Sequence, residues 1–569
     1  MSRRATFLTV AIVAAVAAAW QAWALRWTCD DAFISFRYAQ HFVEGHGIVF
    51  NLDAGEAPVE GYTNFAWTML LAAGVALGCT DEALETWSIA WGVLAHAGTV
   101  ALLAAMAWRA SSGRALVPIA ACAYATIHHA ASLAPAGLET AMFTLLVTAM
   151  LRYCLALRCG REAWLSGFLG VLAAMTRPDG AIVVVMAGLF VLYDTVRRGA
   201  GRLLLGYCLP FVLVFVPYLL WRHAYYGHWL PNTFYAKSGE GSYVPQGLHY
   251  AAGFFACYWP LLLALLPLGW FSVRKPDLLA AISPFLGRRP WLAIAAFVLP
   301  YVAFVIWVGG DFMFARFFVP VLPALLLAFD IACQRWRPWW LQPALAVALV
   351  GGLWCRIEPA DLHDYTADVS DNRAITMARW GGTELTLADI GRGAGSYLQP
   401  LFAGLDVRLG IAGAHANLAY RSRAPVAVEC AAGLTDAYIA RIPVAPGGKR
   451  GHDRPWPLYP GYLLQRRLQI MFELSYGHGD PWRDIVFPSQ PVALPAKLVR
   501  WDRALMRELK RRDPAIVVQD FEQFLDAYLA DLPNKPKAQV QADYEKFVPF
   551  YFAHENDPER QRRFEAALR

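Results

Sequence analysis

Apolar stretches of membrane-spanning length recur through the first 355 residues, divided by short polar connections. Behind Met1-Ser2-Arg3-Arg4 an apolar run continues to Leu25. Further apolar windows centre on residues 86–108, 115–132, 138–157, 163–175, 181–194, 202–222, 250–270, 290–308, 314–332 and 338–355. A helix needs about 20 apolar residues to cross the hydrocarbon core, so these windows predict a polytopic bundle. The first run imitates a secretory signal, with Ala22-Trp23-Ala24 as a small-residue cleavage site, but its length suits a retained span. One further window, 62–78, is ambiguous.

The basic connections settle the parity. Arg109 with Arg114, then Arg158 with Arg161, then Arg197, Arg198 and Arg202 mark every second connection. Arg274, Lys275, Arg288 and Arg289, and finally Arg335 with Arg337, continue the series. Basic loops stay in the cytoplasm. Counting 62–78 as a full span would put all of them outside, whereas a helix at the outer interface keeps them inside. The expectation is about eleven transmembrane helices in residues 1–355, a first external loop over about 26–85, and the C-terminus outside.

Residues 356–569 are polar and mixed, and predict an α/β soluble domain on the outer face. Leu385–Ile390, Val407–Ile411 and Pro425–Glu429 read as strands; 496–512, 519–531 and 540–569 read as helices. Gly391-Arg392-Gly393-Ala394-Gly395 is a loose match to a dinucleotide loop, and outside the cytoplasm it reads instead as a tight turn after a strand.

Composition agrees with the pattern: 57% of residues are hydrophobic and 17% charged, against about 25% charged in soluble domains. The ten cysteines form no CxxC pair, so no metal site is expected, and Cys29, Cys79 and Cys430 leave a disulfide open. His128-His129 reads as packing. Nothing points to nucleic acid.

The candidate chemistry lies on the predicted outer face. Asp30-Asp31 follows the first span, where a carboxylate is placed for general-base work. Arg177 and Arg316, beside Asp179 and Asp311, can grip a phosphate bidentately, with Lys237 as an added point charge. The plainer alternative is a snorkelling arginine paired with its neighbouring carboxylate. Trp67, Tyr62 and Tyr235 could stack on a sugar or belong to the interfacial aromatic belt.

The ordered motifs begin with Asp30-Asp31-Ala32-Phe33-Ile34-Ser35-Phe36-Arg37-Tyr38-Ala39, Glu44-Gly45-His46-Gly47-Ile48-Val49-Phe50-Asn51 and Val59-Glu60-Gly61-Tyr62-Thr63-Asn64-Phe65. They continue with Gly137-Leu138-Glu139-Thr140, Thr176-Arg177-Pro178-Asp179-Gly180, Leu230-Pro231-Asn232-Thr233-Phe234-Tyr235-Ala236-Lys237 and Gly309-Gly310-Asp311-Phe312-Met313 with Arg316-Phe317. Gly433-Leu434-Thr435-Asp436 and Gly451-His452-Asp453 follow in the soluble part. The set resembles the lipid-linked-sugar glycosyltransferases of the GT-C fold, and within them the terminal β-(1→2)-arabinofuranosyltransferase family.

The resemblance implies an inverting transferase of the bacterial cytoplasmic membrane. It would move a sugar, D-arabinofuranose in that family, from a polyprenyl phosphate to a glycan or glycoprotein hydroxyl on the periplasmic or outer face. It implies Asp30, then Asp31, as catalytic base; Arg177, Lys237 and Arg316 as donor-phosphate ligands; and Tyr62, Asn64, Glu139, Asp179, Asn232, Tyr235 and Asp311 around the sugar or acceptor. No metal or organic cofactor is expected, and 62–78 matches the family's amphipathic helix before the second span. A hexose or aminoarabinose donor is the alternative within the class, and a lipid-linked-glycan transporter the alternative outside it. Transport would call for internal repeats, and none is visible.

Overall fold

The computed structural model describes residues 2–238, 241–262, 290–333, 341–364, 369–379, 384–413, 416–444, 454, 460–473 and 479–569. The basic connections Arg274–Arg289 and Arg335–Arg337, and the motif Gly451-His452-Asp453, lie outside the described residues. The chain divides into two units. One holds Met1–Ser35, Thr63–Trp229 and Glu240–Ala378; the other holds Phe36–Tyr62, Leu230–Gly239 and Arg379–Arg569. The division at 378/379 falls beyond the expected 355/356, and two segments ahead of it belong to the second unit.

The first unit is helical. Among the described residues, four of its helices are long and apolar enough to cross a membrane: Arg3–Ala24, Glu82–Ala110, Gly180–Arg198 and Gly201–Tyr226. The last runs through a π turn at Phe211–Phe215 just after Pro210, whose missing N–H disrupts regular α pairing. Shorter apolar helices include Phe65–Ala76, Thr140–Leu155 and Gln342–Trp354. Phe65–Ala76 has 12 residues, roughly 18 Å of rise, too short for a full crossing. It is apolar around its whole circumference, so the expected amphipathic character is absent.

The window 115–132 is two helices, Ile119–Thr126 and His128–Leu133, parted at the extended residue Ile127. Side chains meet the N-terminus of each helix. Asp330 accepts from the Ala120 N–H at 2.8 Å, which accounts for a buried carboxylate in the apolar helix Leu322–Cys333. The Tyr258 hydroxyl accepts from the His129 N–H at 3.2 Å.

Among the described residues the second unit carries a six-stranded sheet in the order β2-β1-β3-β5-β4-β6. Its strands are β1 Arg408–Ile411, β2 Val426–Glu429, β3 Ile470–Phe472, β4 Asp484–Phe487, β5 Leu494–Leu498 and β6 Val517–Val518. β1 is parallel to β2 and β3, and the remaining pairings are antiparallel. The two expected strands at 407–411 and 425–429 are β1 and β2. Leu385–Ile390 is not a strand: Thr386 and Asp389 form a reciprocal capping box that starts the helix Leu387–Phe402, so Gly391–Gly395 are helical and make no dinucleotide loop. Helix 496–512 begins only at Arg503, where Asp502 caps the Leu505 N–H at 3.0 Å; residues 496–498 belong to β5. All ten cysteines are free thiols.

The segments 36–62 and 230–239 are built into this unit. Arg37, 2% exposed, donates to the carbonyls of Phe50, Ala419, Ala424 and Pro425. The Asn51 side chain accepts from the Ala427 N–H of β2 at 2.8 Å. Asn232 donates to the carbonyls of Gly433 and Leu434 at 2.8 and 2.9 Å.

Candidate active site

Two helix junctions and one glycine-rich turn create a buried charged ring in the first unit. The helix Gly160–Thr176 ends at Arg177, which is extended because Pro178 follows it. Asp179 then opens Gly180–Arg198 without capping it by side chain, because its carboxylate turns to Arg177. Arg177 Nε and Nη2 donate to the two carboxylate oxygens of Asp179 at 2.9 and 3.0 Å. The Tyr301 hydroxyl donates to the same carboxylate.

Glu139 sits between both arginines. Arg316 Nη2 donates to it at 3.1 Å, and Arg177 Nη1 approaches to 3.6 Å without a hydrogen bond. Asn64 Nδ2 donates to its other oxygen at 3.0 Å, and Asn64 Oδ1 accepts from Ser35 and Thr68, each at 3.1 Å. Arg316 also donates to Asp311 at 3.2 Å and to Thr140 at 3.4 Å. Phe143 and Phe317 lie 5.3 and 4.9 Å from the Arg177 guanidinium.

The turn at Asp30-Asp31 adjoins this ring. Cys29 N–H donates to the Ala136 carbonyl at 2.9 Å, and Trp27 Nε1 to the Ser132 carbonyl at 2.8 Å. Gly137 takes φ +78°, and a Cβ there would come within 2.9 Å of Ala32 Cβ, so glycine alone admits the approach. Asp30 and Asp31 are half-buried, and their carbonyls accept from Phe33 and Ile34 in the first turn of Ala32–Val43. Their charge thus sits at the favourable end of a helix dipole. Arg316 is within electrostatic reach of Asp31, Glu139 and Asp311.

Of the sequence candidates, Asp30, Asp31, Asn64, Glu139, Arg177, Asp179, Asp311 and Arg316 thus share the first unit. Tyr62, Asn232, Tyr235 and Lys237 belong to the second. There Tyr62 is buried edge-on against Tyr38, Tyr235 lies 4.2 Å beneath the Arg441 guanidinium, and Lys237 is exposed. Tyr301 and Thr140 were missed as partners; a tyrosine after Pro300 in an apolar helix carries no signal of what it meets. His129 Nδ1 is 2.6 Å from the Tyr258 hydroxyl, the packing role expected of it. Among the described residues no group of three or more His, Cys, Asp or Glu is placed to hold a metal ion.

Buried charges are costly unless paired and hydrogen-bonded, so a buried cluster of them is a functional-site candidate. The ring joins two guanidiniums to three carboxylates beside a further carboxylate pair, a set suited to proton abstraction at one edge and to anion stabilisation at the other.

No family model matches the chain. Its backbone is similar to that of ArnT from Cupriavidus metallidurans bound to undecaprenyl phosphate. The TM-score is 0.51 at 14% identity, over 82% of this chain and 93% of that one. The likeness gives the fold, that of the GT-C glycosyltransferases, and the apolar helices fit a multi-pass membrane protein. In sequence, the terminal β-(1→2)-arabinofuranosyltransferase of Mycobacterium tuberculosis is 30% identical over 448 residues, 68% of either chain. The protein of the same name from Corynebacterium glutamicum is 28% identical over 386 residues, 61% of this chain and 54% of its own length. The chain belongs to the terminal β-(1→2)-arabinofuranosyltransferase family and is a glycosyltransferase.

Proposed function

We propose that the protein transfers D-arabinofuranose from a polyprenyl-phosphate donor to an acceptor hydroxyl of a glycan or glycoprotein, outside the bacterial cytoplasmic membrane and with inversion. The observation that carries this reading is the buried ring of Arg177, Arg316, Glu139, Asp179 and Asp311 beside the Asp30-Asp31 turn, in a chain whose relatives are named for arabinofuranosyl transfer.

Asp30, or failing it Asp31, takes the proton of the acceptor hydroxyl. The acceptor oxygen forms a bond to the anomeric carbon from the face opposite the phosphate. The bond from that carbon to the phosphate oxygen breaks, and its electron pair leaves on the polyprenyl phosphate. Arg177 and Arg316 meet the charge that develops there. Arg177 Nη1, without a hydrogen-bond partner among the described residues, is the donor best placed to be recruited. Asn64, Glu139, Asp179 and Asp311 fix the guanidiniums. The scheme includes no metal or organic cofactor. The accompanying topology has about eleven spans, with the active site and the α/β unit outside.

The test supplies reconstituted protein with polyprenyl-phosphate D-arabinofuranose and, in parallel, hexose and aminoarabinose donors. The expected result is pentose transfer, release of polyprenyl phosphate and a product of inverted anomeric configuration. Turnover with a hexose or aminoarabinose donor alone discards the sugar assignment and keeps the chemistry. A retained configuration discards the single-displacement mechanism.

A further inference from the structure

One face of the helix Glu82–Ala110 holds the Asp30-Asp31 turn. Glu85, Ser88 and Gly92 follow the i, i+3, i+7 spacing of a single helical stripe, and all three are buried. Thr28, two residues before Asp30, donates its hydroxyl to Glu85 Oε2 at 2.7 Å. Ser88 Oγ stands 3.5 Å from the place a Cβ of Gly137 would take, and a Cβ on Gly92 would come within 1.9 Å of the Ala134 carbonyl oxygen. The stripe therefore carries the turn of the two aspartates at its start and the turn that leads to Glu139 further along. The bond from the Cys29 N–H to the Ala136 carbonyl ties the two turns to each other.

Glu85 is the costly member of this stripe. A carboxylate near the start of a helix ordinarily serves the helix dipole from the surface. Glu82, exposed in the first turn, does so. Glu85 is instead turned inward at 8% exposure, against Thr28 at 9%. Burying a carboxylate is unfavourable unless hydrogen bonds compensate, and a bond to an ionised acceptor is stronger than one between neutral groups. Packing alone would be served as well by an apolar pair of the same shape. The charge-assisted bond adds direction: it fixes how the chain enters Asp30.

We infer that Glu85 is a positioning residue for the transfer reaction, setting through Thr28 where the Asp30-Asp31 carboxylates stand relative to the ring around Glu139. The inference rests on the reading above, in which one of these aspartates takes the acceptor proton. Misplacing a reacting group by about 1 Å can cost about 10² in rate, so a hydrogen bond two residues away has leverage on kcat. The arginines that meet the donor phosphate are left in place, so the donor KM does not move.

The test compares Thr28→Val, the double variant Thr28→Val with Glu85→Met, and the conservative Glu85→Gln with the wild type. Full-length protein in nanodiscs is assayed by steady-state transfer and by unfolding temperature. Thr28→Val takes this donor from the buried carboxylate and lowers both kcat and the unfolding temperature. In the double variant both polar groups are gone, so the unfolding temperature returns toward the wild-type value, while kcat stays about 10- to 100-fold low at unchanged donor KM. Glu85→Gln, whose amide oxygen still accepts from Thr28, keeps transfer near the wild-type rate. Recovery of kcat together with stability in the double variant overturns the inference, since the bond is then structural only. Asp30→Asn and Asp31→Asn are measured alongside. Lost transfer in either, with normal kcat in the double variant, overturns the positioning role alone. Wild-type transfer in both overturns the base reading and this inference with it.

Discussion

Arg177 and Asp179 meet face to face across a single proline, through paired hydrogen bonds of 2.9 and 3.0 Å. The pairing spends one edge of the guanidinium, Nε and Nη2, on a fixed partner and leaves Nη1 toward Glu139 at 3.6 Å. A guanidinium held so rigidly can act as a preset charge for a leaving phosphate, and lysine cannot reproduce the fork. Arg177→Lys should therefore cost about 10²–10³ in kcat while the protein remains folded. Steady-state transfer by the purified variant checks this; wild-type kcat would remove Arg177 from leaving-group stabilisation.

Glu139 is the carboxylate shared by both arginines. Replacing it by glutamine keeps the shape and leaves two buried cations short of a partner. The expected loss of stability is on the order of 3–5 kcal/mol, the usual result of removing one member of a buried ion pair. Thermal unfolding of the solubilised protein measures it. In the double variant Glu139→Gln with Arg316→Gln the loss should be smaller than the sum of the single losses, because the two groups interact directly.

Gly310 has φ +76°, and a Cβ there would stand 2.4 Å from Tyr250 Cγ. Tyr250 in turn accepts from the Phe317 N–H at 3.2 Å, next to Arg316. Gly310→Ala should impair both stability and transfer. Gly45→Ala provides the control, since Gly45 has φ +88° with open space around it and should show only the backbone strain of about 1–2 kcal/mol. Equal effects of the two substitutions, compared by unfolding temperature, would show that the Tyr250 contact is unimportant.

Burial alone would raise the Asp53 carboxyl, but the Arg408 hydrogen bond and the charges of Arg408 and Arg466 hold it below the usual aspartate range. A folded-state pKa below the unfolded one adds stability that is complete above the ordinary aspartate value of about 4 and is lost as pH falls through the lower folded value. Acidification should thus lower the amide protection factors, measured against intrinsic exchange at each pH, in β1, which carries Arg408. Asp53→Asn should flatten that dependence, and an unchanged pH profile in the variant would contradict the assignment.

The helical unit and much of the ring were legible because their signals are local. Apolar windows marked where several of the helices lie, and Thr176-Arg177-Pro178-Asp179-Gly180 placed an arginine and a carboxylate on either side of a proline. Tyr301 was not legible, since its contact with Asp179 spans 122 positions and leaves no pattern in the chain. Leu385–Ile390 misled because its apolar residues suit a strand, and only the Thr386–Asp389 capping box reveals a helix start. The strands after β2 have 2 to 5 residues, too few for alternation to declare itself. Asn232 looked like a ligand-facing amide, yet its donors are engaged by the carbonyls that follow β2, a role that depends on tertiary folding alone.

The central claim is that a carboxylate of the Asp30-Asp31 turn removes the acceptor proton. The direct measurement compares transfer and donor binding in Asp30→Asn and Asp31→Asn with the wild type, using polyprenyl-phosphate D-arabinofuranose. One substitution, expected first at Asp30, should lower transfer by about 10²–10⁴ while the donor still binds, as loss of a general base requires. Wild-type transfer in both variants would contradict the account.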